Sequence, residues 1–97
     1  DVAVAYEDVF EATVNAPRAV EVVRGAVGKD GLTELARPFR WSEDFGRFTA
    51  IAPGALIGIG AGERTPELHH PDYDFPDALI PLGAALLGRI VEVCLGD

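Results

Sequence analysis

The side chains able to do chemistry cluster between Glu63 and Asp77. This stretch holds His69 and His70 side by side, the carboxylates of Glu63, Glu67, Asp72, Asp74 and Asp77, and the guanidinium of Arg64. Imidazole and carboxylate together are the usual ligands of zinc, manganese and cobalt. Neighbouring residues normally point in different directions, so one histidine of the pair is a better ligand candidate than both. The spacing fits neither an HExxH helix nor a zinc-finger pattern. On pattern alone two readings stand: a metal site, or a solvated acidic loop carrying two surface histidines.

Other segments offer less. In Trp41-Ser42-Glu43-Asp44-Phe45, amides at a helix start and the Ser42 hydroxyl could hold a substrate carboxylate. Glu43 and Asp44 oppose that unless they point away, and an ordinary acidic helix N-terminus is the plainer reading. Gly58-Ile59-Gly60-Ala61-Gly62 lacks both the GxGxxG spacing and a Gly-Lys-Ser/Thr ending, and prolines follow it, so it is not a phosphate loop. Its glycines are expected to let a strand end pack close to a neighbour. Cys94 falls on an apolar helix face and reads as a buried structural thiol.

These groups must be positioned by the surrounding elements. Residues 2–10 alternate β-branched and aromatic residues and predict a strand. A helix is expected from an Asn15 cap and Pro17, through Val20, Val23 and Val27, to Gly28. Residues 28–31 read as a turn and 32–40 as extended chain. A second, short helix capped by Ser42 would line up Phe45, Phe48 and Ile51 and end at Pro53-Gly54. Residues 55–60 predict a short buried strand, 61–76 a polar loop, and 78–95 a final helix with Asp77 as a possible cap. On that helix Ala84, Leu87, Val91 and Cys94 share a face, and its small residues would let a neighbour approach closely. The order β-α-β-α-β-α indicates an α/β architecture.

The whole chain bounds the class. Its 97 residues suit one small domain or part of a larger one, and 48% apolar content is too high for intrinsic disorder. A net charge of −8 disfavours nucleic acid and anionic membrane as partners. One cysteine excludes an internal disulfide, and with no secretion signal a reducing, cytoplasmic location is expected. The chain opens at Asp1, without methionine and inside an expected strand, so it is expected to start part-way through something longer.

Several blocks then combine. Ser-Glu-Asp-Phe at 42–45, Pro-Gly-Ala at 53–55, Gly-Ala-Gly at 60–62, Leu-His-His-Pro-Asp-Tyr-Asp-Phe at 68–75 and the run from Ala78 to Leu87 occur in order. In that order and spacing the chain resembles the metal-dependent amidohydrolases and metallopeptidases that include hippurate hydrolase, N-acyl-amino-acid deacylases and plant indole-acetyl-amino-acid hydrolases. The resemblance runs the whole length and is strongest over 41–95, and the Asn15-Ala16-Pro17 turn fits the point where the chain leaves such a family's lid.

The resemblance implies a zinc-peptidase-like α/β catalytic domain interrupted by a lid, or dimerisation, domain. Residues 1–13 would be the last lid strand and 14–97 the C-terminal part of the catalytic domain. His69 falls on the family's last metal ligand, while His70 takes a variable position and has no role. Ser42 and Glu43 match a segment lining the substrate pocket. Two divalent ions (zinc, manganese, cobalt or nickel) would activate a water to cleave an N-acyl amino acid or dipeptide-like substrate, in a homodimeric parent. No catalytic residue falls in this segment, because the other ligands and the proton-shuttling glutamate would lie before residue 1. The chain by itself is therefore expected to be inactive. The alternative is a small non-enzymatic α/β module that dimerises or binds metal through 63–77.

Overall fold

The computed structural model describes residues 1–41 and 43–96. Three helices form: α1 over Pro17–Val27, α2 over Gly46–Thr49 and α3 over Leu79–Leu95. In α1, Pro17 sits where its missing N–H costs nothing and its fixed φ suits the first turn. The stripe Val20, Val23, Ala26 and Val27 turns inward. Gly28 ends the helix with φ 80° and ψ 171°, backbone that side chains with a Cβ avoid, and its N–H donates to the Arg24 carbonyl at 3.0 Å. The N-cap is Ala16 and not Asn15, whose side chain is engaged elsewhere.

Pro81 lies in the first turn of α3, where N–H groups have no partner inside the helix, so the helix tolerates it. Asp77 does not cap with its side chain. Its carbonyl accepts the Ile80 N–H at 3.0 Å, and Ala78 is the N-cap. The packed face of α3 also differs from expectation. Leu86 is buried with Leu79, Gly83 and Ile90 half-buried beside it, whereas Ala84, Leu87, Val91 and Cys94 are exposed. The packed stripe thus lies one residue earlier, a rotation of about 100° about the axis. Cys94 is accordingly an exposed thiol and not a buried one. The helix is apolar nearly all round, and it is the position of α1 that selects which face is covered.

α1 and α3 pack on each other around Val23, Ala26 and Leu86. Val93 reaches Gly25 of α1, and Ile59 lies along Gly83 of α3. Arg24 ties α1 to the following segment through Glu34 at 2.7 Å and is also paired with Glu21 at 3.3 Å. The bond to Glu34, followed by that to Glu21, raises the affinity of its guanidinium for its proton. Phe39 stacks on Trp41 at 4.1 Å between ring centres and approaches Gly58.

Residues 1–16, 32–41 and 53–62 are extended or irregular, and among the described residues none is assigned to a strand. A strand needs a neighbour to take its N–H and C=O groups, and the described chain supplies only fragments of one at residues 15, 16, 54 and 56. Ala55, Leu56 and Ile57 are half-buried, while 58–60 are exposed.

The surface shows how little the chain covers. Its accessible area is 8512 Å², against about 5,400 Å² for a folded monomer of this mass. Its radius of gyration is 16.5 Å, against about 12.5 Å for a compact chain of this length. Large apolar side chains lie bare, including Val2, Tyr6, Ile51 and Leu95.

Leu86→Ala is expected to cost about 2–3 kcal/mol in this chain and Leu87→Ala less than about 0.5 kcal/mol. Urea titration followed by helical circular dichroism measures both. Equal costs would show that the Leu87 face is covered in solution.

Candidate functional site

The loop between the 53–62 segment and α3 is built from successive closed turns. The Thr65 hydroxyl donates to the Ala61 carbonyl at 2.8 Å, and the Thr65 N–H to the Gly62 carbonyl at 3.2 Å. The His70 N–H donates to the Glu67 carbonyl at 3.0 Å, and the Tyr73 N–H to the His70 carbonyl at 2.9 Å. The Leu79 N–H then donates to the Pro76 carbonyl at 2.8 Å, joining the loop to α3.

His69 is the third residue of the Glu67–His70 turn and has φ +72°. A positive φ at that place is what a type II turn requires, and histidine is among the residues that tolerate it better than most. The ring is exposed, and among the described residues it makes no hydrogen bond. His70 differs. Its Nδ1 accepts the Asp72 N–H at 3.1 Å, with the Asp72 carboxylate 3.8 Å away. In the neutral ring the proton therefore sits on Nε2 and Nδ1 is occupied. The two adjacent histidines are thus separated by their local bonds: one ring is engaged in a turn, the other is free.

The carboxylates of Glu63, Glu67, Asp72, Asp74 and Asp77 are all exposed around them. Among the described residues no group of three His, Cys, Asp or Glu side chains could hold a metal ion. A metal centre needs about three protein ligands or more, and these residues bring no such set together.

Ser42 lies outside the described residues. Glu43 is exposed just ahead of α2, and among the described residues no ion pair joins it to the 63–77 loop. The close approach expected of the 58–62 glycines occurs at Gly58, against Phe39, whereas Gly60 and Gly62 face open space.

Two clefts can be described among the described residues. One, about 440 Å³, opens beside Asn15, Thr49 and Ile51. The other, about 320 Å³, lies between α1, α3 and residues 57–60 with Arg89 at its wall. Neither is lined by a histidine or a carboxylate. No helix among the described residues is long and apolar enough to cross a membrane.

His69 thus presents an exposed imidazole at a hydrogen-bonded turn, and the sequence comparisons supply the class. The chain belongs to the peptidase family M20/M25/M40, whose sequence model matches residues 1–93. It is also similar to a protein of Synechocystis sp. described as a probable hydrolase, with 36% identity over 69 residues. That match covers 67% of this chain and 18% of the relative, so the chain spans less than a fifth of that protein's length. No solved structure matches it.

The left-handed backbone at residue 69 separates conformation from ligand chemistry. His69→Asn should keep the turn, while His69→Val should open it, at a cost of about 1–2 kcal/mol. Hydrogen exchange at the His70 and Tyr73 amides reports this. Equal protection in the two variants would show that the turn does not depend on φ at residue 69.

Proposed function

We propose that this chain is the C-terminal part of a metal-dependent amidohydrolase of the hippurate hydrolase type, which cleaves N-acyl or N-aminoacyl amino acids. The observation that carries the reading is His69, a free imidazole at the tip of a hydrogen-bonded turn, in a chain that matches the peptidase family from residue 1 to residue 93. His69 is the residue here that would hold a metal. The ions, when bound, would activate the hydrolytic water and polarise the amide carbonyl. Two divalent ions are proposed, from among zinc, manganese, cobalt and nickel, with the remaining ligands outside these residues. Ser42 and Glu43 are proposed to line the substrate pocket.

In the same reading the complete fold is α/β, with 1–13 ending a lid or dimerisation unit and 14–97 completing the catalytic domain. The surface excess of about 3,000 Å² supports this. Extended segments at 1–10 and 55–60 that form no ladder, and an α3 apolar nearly all round, are what elements look like when their partners belong to other segments. The chain alone is then inactive, and the whole protein is a cytoplasmic homodimer.

The test is hydrolysis of a panel of N-acyl amino acids by the full-length gene product, with and without a chelator. His69→Ala is expected to lower metal-dependent kcat/KM by at least about a thousandfold, since it removes a metal ligand. His70→Ala should stay within about threefold, because its ring serves only a surface turn. Equal losses in the two variants would defeat the assignment of His69. Full activity in the presence of chelator would defeat the metal-dependent reading.

A further inference from the structure

Residues 1–10 are exposed along their length and lead into the connection at residues 11–16. That connection is fastened at two places. At the first, the Asn15 amide donates to the Leu56 carbonyl at 3.0 Å and accepts the Leu56 N–H at 2.9 Å, across 41 residues of sequence. The Ala16 N–H donates to the Gly54 carbonyl at 2.9 Å beside it. The Asn15 side chain thus stands in for one residue of a neighbouring strand. Only a primary amide of this length offers donor and acceptor side by side at this reach: aspartate lacks the donor, glutamine adds a methylene and leucine has the shape without either group.

At the second place, Gly46 begins α2 directly against the backbone of Glu11. A Cβ on residue 46 would lie 2.3 Å from the Glu11 carbonyl oxygen and 2.8 Å from its carbon. No flexible side chain could give way there, so any larger residue must push the connection off α2.

The segment held by Asn15 continues through 57–62 into the turns that carry His69. One clamp therefore joins the segment that enters the His69 loop to the departure of the N-terminal arm. We propose that Asn15 and Gly46 form a pivot that sets the direction of the 1–14 arm relative to the His69 loop, with Asn15 a positioning residue for hydrolysis. The kinetic consequence rests on the hydrolase reading above, whereas the geometric one does not.

The experiment uses the full-length protein with spin labels at Cys94 and at Val4→Cys, both exposed positions, and any other cysteines replaced by serine. Asn15→Leu is expected to broaden the label-to-label distance distribution and to speed exchange of the Leu56 amide about tenfold, the scale of one lost hydrogen bond. Gly46→Ala should broaden the same distribution while leaving the Asn15 pairing in place, which gives a second route should Asn15→Leu fail to fold. In the unlabelled protein, Asn15→Leu should lower kcat about tenfold with KM changed less than about threefold, by misplacing groups and not by weakening binding. Asn15→Asp should fall between. Unchanged distance distributions in both variants would overturn the pivot. A broadened distribution with unchanged kcat would overturn the positioning role alone. An unmodified protein without hydrolase activity would count against the hydrolase reading, and the distances would still decide the pivot.

Discussion

The packing of α1 on α3 is the contact from which the other segments take their places. Val23 and Ala26 on one helix and Leu86 on the other each lose nearly all contact with water. Glu34 is drawn to Arg24 of α1, Ile59 lies along α3 and Phe39 reaches Gly58 in the same extended segment. Burying three side chains of this size contributes only a few kcal/mol, on the order of 25 cal/mol per Å² removed from water. The ion pairs of Arg24 add little, since they are solvent-exposed. Such a pair of helices can align its neighbours but cannot enclose them.

That constraint explains why the extended segments stay open. Residues 53–62 have one helix-bearing side, where Ile57 meets the cleft between α1 and α3, and are paired only with residues 15 and 16 at their start among the described residues. Backbone groups left in water lose nothing by remaining unpaired, so no ladder has to form. The same segments, placed in a larger body, would have to pair. Their present state thus follows from the small area this chain can cover and not from unsuitable residues.

The parts of the fold legible in the sequence were those fixed by neighbours three or four residues away. Pro17, the valine repeat and Gly28 delimit α1 because propensity, periodicity and chain termination all act locally. The same logic failed where a distant partner decides. Asn15 is a good helix cap by local preference, yet Leu56 takes its amide, leaving Ala16 to begin the helix without a side-chain cap. On α3 the apolar residues describe more than one face, so spacing could not reveal that Leu86, and not Leu87, would meet α1. At the site, the residue types singled out His69 and His70, but their separation into a free ring and an engaged one depends on the Asp72 amide and on φ at residue 69. A weak signal for that turn existed: Pro71 disfavours helical backbone at His70, which leaves it to a turn or extended chain. The Asn15 clamp had no local signal at all.

How an exposed loop could present the metal ligand proposed at His69 is a separate physical question. Metal ligands must be held within about half an ångström, and loops ordinarily do this less well than helices or strands. No buried side chain anchors residues 62–78, so packing cannot be the answer. The backbone supplies it instead. Bonds from Thr65 to Ala61 and Gly62, from His70 to Glu67, from Tyr73 to His70, from Asp72 to the His70 ring and from Leu79 to Pro76 close the loop into short consecutive rings. Pro66, Pro71 and Pro76 fix φ at further points along it. Each ring and each proline removes backbone freedom before any ligand arrives, which lowers the entropy lost on binding. The loop joins the rest of the chain at two ends, the 53–62 segment and the start of α3. In the proposed reading the placement of His69 depends on what holds those ends, and the segment entering the first of them is bonded at Leu56 by the side chain of Asn15.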